Sequence, residues 1–171
     1  IYINEMLSEA GDSSGRGGHH RVFESREVSM GVLETARGAL ANSGFMFDWC
    51  NVSVCLNVTE DHLGEYGIET IEQMAELKRS VLESARDAVV LNADDELCIS
   101  MLPFLFTPRI CLVSMQSGVE ELAAIQGSMD CFCILERIHG SNWLVLYDGD
   151  RRLPVIEVEQ IPATFGGLAG F

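Results

Sequence analysis

The sequence predicts an α/β fold, in which a mostly parallel β-sheet is flanked by helices and extended by antiparallel strands at its C-terminal end. Two observations support this prediction. Short apolar runs alternate with helix-like segments through most of the chain, which is typical of strands buried in a parallel sheet. In the last part, apolar runs follow one another with turn residues between them, which favours antiparallel pairing. The length of 171 residues suits one domain.

Residues 1–26 are predicted to be irregular, because they are rich in turn-forming residues between positions 11 and 18. A phosphate-binding loop is not favoured for this glycine-rich stretch, since it lacks the Gly-Lys-Ser/Thr ending and no strand precedes it. The apolar runs that follow are predicted to form the parallel strands, over residues 28–33, 52–56, 88–91 and 110–113.

The strongest helix prediction covers residues 71–86. Thr70 and Gln73 stand at capping-box spacing, and apolar residues recur every three or four positions along one face. Two shorter helices are predicted over residues 94–102 and 119–125.

The C-terminal part changes character, because its apolar runs are separated by turns and not by helices. Asp148-Gly149-Asp150 is a strong hairpin signal between the last two runs. The sequence therefore predicts three antiparallel strands, over residues 131–135, 143–147 and 153–158.

The charge balance excludes some classes of partner. With 11 Lys+Arg against 26 Asp+Glu, the net charge is −15, which disfavours binding to nucleic acid or anionic lipid by charge. The longest nearly uncharged stretch, residues 97–108, is too short to span a bilayer. No secretory signal is visible, and the six cysteines read as buried free thiols in a reducing compartment. We therefore expect a cytoplasmic protein with neither nucleic-acid nor membrane partners.

Polar residues follow three of the predicted parallel strands: Glu34, Asn57 and Asn92. Because ligands bind at the carboxyl ends of parallel strands, these residues and the loops that carry His62 and Asp94 are expected to share one edge. Carboxylates and an imidazole there indicate a magnesium ion with bound phosphate. Each residue also has a simpler interpretation: Glu34 as a surface carboxylate, His62 as a solvated loop histidine, and Asn92 and Asp94 as helix caps.

Lys78 is the single lysine of the chain and falls on the apolar face of the predicted 71–86 helix. A long side chain there can extend along the surface and keep its amine in water. A buried amine instead has to be paired, lose its proton or be covalently modified. Both interpretations remain open from periodicity alone.

Several motifs resemble the Mur-ligase-like central domain of the cyanophycin synthetase family. The segment Leu33-Glu34-Thr35-Ala36-Arg37-Gly38 and the run from Leu56 to Gly64, which contains His62, are specific in order and spacing. The remaining similar segments are residues 47–52, 67–78, 90–95 and 161–164. The resemblance extends over nearly the whole chain.

The resemblance implies an ATP-dependent amide ligase that activates a carboxylate as an acyl phosphate for attack by an amine. That family builds a polymer of aspartate with arginine side chains, so a small-molecule or polymer amino-acid substrate and a homo-oligomeric parent are expected. It implies Glu34 and His62 as magnesium ligands, with His62 also catalytic. Asn92 and Asp94 would face the nucleotide. Lys78 would be catalytic as a carbamate that binds a second magnesium ion.

The chain also departs from the family pattern. The family's Gly-Lys-Thr phosphate loop is not found among residues 1–171, the second glycine expected after Arg37 is Ala39, and Glu96 replaces a proline. We therefore expect residues 1–160 to be a partial central domain and residues 161–171 a truncated segment. The isolated chain is expected to bind ATP weakly and to be inactive. The alternatives are a non-catalytic remnant that keeps the fold or an oligomer contact, and a magnesium-dependent phosphohydrolase.

Overall fold

A computed structural model describes residues 1–3, 6–7, 13–61, 63–127 and 131–161. Its main element is a six-stranded sheet whose strands lie in chain order. The strands outside this sheet are β1 (Tyr2–Ile3) and β2 (Met6–Leu7), which pair antiparallel. The strands of the main sheet are β3 (Cys50–Cys55), β4 (Ala85–Asn92), β5 (Ile110–Ser114), β6 (Cys131–Ile138), β7 (Ser141–Asp148) and β8 (Arg151–Glu157). The helices are α1 (Arg16–Glu24), α2 (Arg37–Ser43), α3 (Ile71–Glu83), α4 (Glu96–Ile99) and α5 (Val119–Gln126), with 3-10 turns at Leu102–Phe104 and Val158–Gln160.

The predicted fold class is confirmed. Strands β3 to β6 pair in parallel, and β6 to β8 pair antiparallel. The hairpin predicted at Asp148-Gly149-Asp150 is present: Asp148 pairs with Arg151, and Gly149 takes a φ of 57° in the turn. A residue with a side chain rarely adopts that backbone conformation, which explains the glycine.

Helix α3 begins at a capping box, in which two residues exchange hydrogen bonds across the first turn. The Thr70 hydroxyl accepts a hydrogen bond from the Gln73 backbone N–H, and the Gln73 side chain accepts one from the Thr70 N–H. The capping box is therefore confirmed. The helix ends at Glu83 and not at residue 86, because β4 begins at Ala85.

The core lies between one face of the sheet and helices α3, α4 and α5. Its fully buried members come from both layers: Met74, Leu82, Val89, Leu91, Cys98, Leu112, Leu122 and Phe132. The opposite face differs at β3, which is an edge strand. There Val52, Val54 and Leu56 are 51%, 52% and 57% exposed. The expectation that the parallel strands are buried is therefore wrong for this face of β3.

The N-terminal part differs most from prediction. Residues 28–33 do not form a strand, and Met30 and Val32 are 83% and 94% exposed. The region expected to be irregular instead contains α1. Gly18 permits that helix to pack against the preceding chain, since a Cβ there would lie 2.0 Å from the Ser13 carbonyl oxygen. The strand predicted over residues 28–33 is therefore wrong, because no strand of the described sheet pairs with this apolar run.

No helix among the described residues is both long and apolar enough to cross a membrane.

Candidate functional site

The carboxyl ends of β3, β4 and β5 meet at one edge of the sheet, which we call the strand-end edge and define by Asn57, Asn92, Asp94, Asp95 and Ser114. Asn92 joins two of these ends. Its side-chain N–H donates to the Leu56 carbonyl at 2.9 Å, and its side-chain oxygen accepts from the Asp94 backbone N–H at 3.0 Å. The predicted convergence of Asn57 and Asn92 at a common edge is thus present in the structure.

Two adjacent aspartates fix the loops of this edge. The Asp94 carboxylate accepts hydrogen bonds from the Ser114 hydroxyl and, at 2.7 Å, from the Met115 backbone N–H. It therefore binds the loop after β4 to the end of β5. Because both carboxylate oxygens are engaged by the protein, Asp94 shapes the edge through these contacts.

Asp95 is the residue that caps helix α4. One of its oxygens accepts from the Cys98 N–H at 2.9 Å, and the other accepts from the Val58 N–H at 3.0 Å. The helix-cap interpretation thus applies to Asp95, and the same side chain joins α4 to the segment that follows β3.

Lys78 reaches the strand-end edge from helix α3. Its amine donates a hydrogen bond to the Asn57 backbone carbonyl at 2.8 Å. The neighbouring Met74, Ala75 and Leu82 on the same helix are buried, and Lys78 itself is half-buried. The sequence left open whether this amine stays in water or is buried and paired. In the structure, the amine is paired with a backbone carbonyl.

Glu34 does not follow a strand, in contrast to the expectation. It lies between α1 and α2, its side chain is exposed, and its carbonyl accepts a hydrogen bond from Nε2 of the buried His19 at 2.7 Å. His62 lies outside the described residues. The structure therefore brings Asn57, Asn92, Asp94 and the Lys78 amine to one edge, and it holds Glu34 on a separate connection.

Arg37, which belongs to the similar segment 33–38, has a defined environment at the start of α2. Its guanidinium forms an ion pair with Glu65 at 2.6 Å and lies 5.6 Å from the centre of the Tyr66 ring. Its other terminal nitrogen, Nη1, is buried without a hydrogen-bond partner among the described residues. Arg37 thereby connects α2 to the loop that contains position 62, and a buried guanidinium nitrogen is a suitable donor to an anion.

The described residues do not form a magnesium site by themselves. In the part of the chain that the structure describes, no group of three or more His, Cys, Asp or Glu side chains is arranged to hold a metal ion. Asp94 and Asp95 use their oxygens in hydrogen bonds to the protein. An unmodified lysine amine is a donor and adds no oxygen ligand.

An open depression of about 420 Å³ lies elsewhere, against the first turn of α5 and strands β6 and β7. Its polar lining is acidic, and none of the predicted site residues contributes to it. Residues that line it are Gly118, Val119, Glu120, Glu121, Ile134, Glu136 and Tyr147.

Comparisons with known proteins show the family of the chain. Relatives named cyanophycin synthetase match the whole chain: that of Synechocystis sp. is 37% identical over 173 residues, and that of Crocosphaera subtropica is 33% identical over 181 residues. A third, from Trichormus variabilis, is 36% identical over 180 residues and aligns with 99% of the chain. The chain spans about one fifth of the length of these relatives, 18% to 19%. The family model described as Mur ligase middle domain matches residues 18–130, which is more than half of the chain, and together with the parallel sheet and its strand-end edge this shows that the chain belongs to the Mur ligase middle-domain family.

Proposed function

We propose that this chain supplies the middle-domain part of an ATP-dependent amide ligase of the cyanophycin synthetase kind. Such an enzyme activates a carboxylate as an acyl phosphate, which the amine of an amino acid then attacks. The family membership and the name shared by the relatives support the reaction class. The single observation that carries the proposal is the Lys78 amine at the strand-end edge, 2.8 Å from the Asn57 carbonyl.

The proposed role of Lys78 requires a chemical change of its amine. Carbon dioxide adds to an unprotonated amine and one N–H proton is released. The product is a carbamate, which is a carboxylate on a long stem. We propose that Glu34, His62 and this carbamate hold magnesium in the complete ligase. A magnesium ion bound there would supply positive charge to stabilise the oxygens of the transferred phosphoryl group.

The proposed nucleotide-facing residues, Asn92 and Asp94, are held by hydrogen bonds to neighbouring strand ends. Asn92 joins the ends of β3 and β4, and Asp94 joins the loop after β4 to the end of β5. We propose that both position the loops on which the nucleotide lies. Such loops lose little conformational freedom on binding, which favours affinity.

The wider setting is also a proposal. The substrate is a small or polymeric amino-acid compound, the parent enzyme is a homo-oligomer, and the protein works in the reducing cytoplasm. The structure is consistent with a reducing compartment, since all six cysteines are free thiols.

A chimera tests the proposal, with this chain in place of the matching span of the Synechocystis relative. We expect ATP-dependent incorporation of an amino acid into polymer. Lys78→Ala should remove most of that activity, and short carboxylic acids should restore part of it by occupying the vacated position. Lys78→Arg should be inactive as well, because a guanidinium keeps the charge but forms no carbamate.

Arg79→Ala is the matched control, since Arg79 neighbours Lys78 and its ion pair is with Glu83 on the same helix. That variant should retain activity. A parental chimera without ligase activity, or a fully active Lys78→Ala variant, would overturn the proposal and favour a non-catalytic role for this domain.

A further inference from the structure

Two buried thiols lie side by side beneath the strand-end edge. Cys55 is the last residue of β3, Cys98 lies in α4, and their sulfur atoms are 3.7 Å apart. Cys55 is 7% exposed and Cys98 is fully buried. The two residues are 43 positions apart in the chain, so only the packing of α4 against the end of β3 brings them together.

Hydrogen bonds join the backbone segments that carry these two thiols. Asp95 accepts hydrogen bonds from the Val58 N–H and the Cys98 N–H, and Asn92 donates to the Leu56 carbonyl. A disulfide has an S–S distance of about 2.05 Å, so the sulfur atoms need to approach by about 1.7 Å. Rotation of two side chains and a small shift of α4 can supply that movement.

We propose that Cys55 and Cys98 form a redox modification site, at which a peroxide oxidises the two thiols to an intramolecular disulfide. The Cys55 thiolate attacks one oxygen of hydrogen peroxide, the O–O bond breaks, and the products are a sulfenic acid on Cys55 and, after protonation, one water. The Cys98 sulfur then attacks the Cys55 sulfur, the S–S bond forms, and the sulfenic oxygen leaves as a second water with the remaining thiol proton. The two thiols lose two electrons, and one peroxide is reduced to two waters.

The surroundings assign the first step to Cys55. A hydrogen bond from the Cys98 thiol lowers the pKa of Cys55, and burial opposes this, while the positive charge of the unmodified Lys78 amine lowers the pKa further. The same contact with Cys55, together with burial, raises the pKa of Cys98. Cys55 is also the more exposed of the two, so it is the thiol that a small oxidant reaches first.

Oxidation acts on the part of the chain that holds Lys78. Asn57, whose carbonyl accepts the Lys78 hydrogen bond, is two residues beyond Cys55. Drawing the end of β3 toward α4 changes the position of that carbonyl. Because Lys78 is the only lysine, isotope-labelled lysine gives one side-chain NMR signal that reports on this contact.

Cys111 and Cys131 form a competing pair. They lie on the neighbouring strands β5 and β6, and a hydrogen bond from Cys111, together with the charge of Arg109, lowers the pKa of Cys131 to about 7 against the effect of burial. Peptide mapping separates the two pairs. Cleavage after Lys and Arg places Cys98 alone in peptide 87–109, Cys50 and Cys55 in peptide 38–78, and the other three cysteines in peptide 110–137.

The experiment treats the reduced 171-residue chain with equimolar hydrogen peroxide, blocks the remaining thiols with N-ethylmaleimide, and maps the tryptic peptides without reduction. We expect peptide 38–78 linked to peptide 87–109, with fragmentation assigning the bond to Cys55. The labelled Lys78 signal should shift on oxidation and return with dithiothreitol. Links confined to peptide 110–137, or over-oxidised thiols without a disulfide, would overturn the proposal.

Variants add a second measurement. Cys55→Ser and Cys98→Ser should each abolish the link and the shift of the lysine signal, whereas the control Cys50→Ser should keep both. Cys50 is suited to this purpose because it shares a tryptic peptide with Cys55 and contacts Ser84 at the other end of β3. A 38–78 to 87–109 link that persists in Cys55→Ser and disappears in Cys50→Ser would contradict the assignment. The mapping of the parental chain needs no variant and decides the question if a variant does not fold.

Discussion

Replacing Asp95 tests how the strand-end edge is held together. Its two carboxylate oxygens accept hydrogen bonds from different segments, the Cys98 N–H in α4 and the Val58 N–H after β3. Asp95→Ala removes both acceptors. Val58 is buried, with 6% of its surface exposed, so its N–H loses a partner that water replaces only in part.

The magnitude follows from these two contacts. Loss of a helix cap costs about 1 kcal/mol, and a backbone N–H left without a partner adds at least about 1 kcal/mol. We therefore expect Asp95→Ala to lower the free energy of unfolding by about 2 kcal/mol. Asp95→Asn should cost about half as much, because one amide oxygen can still cap α4 while the amide N–H₂ faces the Val58 N–H.

Urea unfolding followed by circular dichroism measures this difference. With a slope of about 2 kcal/mol per molar, the midpoint should fall by about 1 M for Asp95→Ala. Hydrogen exchange adds a local measurement, since the Val58 and Cys98 amides should lose protection. Glu96→Gln is the control, because Glu96 is exposed and the substitution should change stability by less than about 0.5 kcal/mol. An Asp95→Ala midpoint equal to that of this control, with Val58 still protected, would refute the reasoning.

Three further predictions concern the rest of the fold. Leu82→Ala removes a fully buried core side chain and should destabilise the protein by about 2–5 kcal/mol in the same urea assay. Gly17→Ala should stabilise helix α1 by about 0.5–1 kcal/mol, because an added Cβ meets open space. Gly18→Ala should be destabilising, because its Cβ would lie 2.0 Å from a backbone oxygen. Equal effects of the two substitutions on stability would contradict the packing of α1. The Arg152 guanidinium lowers the pKa of Glu136 below its ordinary value of 4.5, so the ion pair adds stability above that pH and loses it as the pH falls through the lowered value. The stability difference between the parental chain and Arg152→Gln should therefore shrink below pH 4.5. A stability difference that stays constant with pH would contradict this prediction.

Much of the sheet could be predicted because its signals are local. The capping box at Thr70 and Gln73 marks the start of α3, and the Asp148-Gly149-Asp150 turn marks the β7–β8 hairpin. Both depend on residues three or fewer positions apart, so the sequence contains the whole interaction. The apolar runs after residue 50 also found partners, and their positions predicted strands correctly to within a few residues.

The wrong predictions concern segments whose structure depends on a pairing strand that is absent from the described sheet or on a contact with another segment. Residues 28–33 are apolar, but no strand of the described sheet pairs with them and they remain coil. Helix α1 was not predicted, because its glycines indicate an irregular segment. The small size of Gly18 allows the helix to lie against Ser13, a contact that the sequence pattern does not show. In the candidate site, the joint edge of Asn57 and Asn92 was predictable from the rule for parallel strands, whereas the position of Glu34 depended on the strand that did not form.

By itself the sequence determined the fold class, the approximate positions of the strands of the main sheet, the acidic charge and the placement of a single lysine on an apolar helix face. Tertiary structure alone decided what that lysine contacts, that Asp95 joins α4 to the segment after β3, and that Cys55 and Cys98 lie 3.7 Å apart. The physical reason is one of range. Periodicity, capping and turn signals act over a few residues, whereas a hydrogen bond or thiol contact between residues 21 to 43 positions apart depends on how the strands and helices pack.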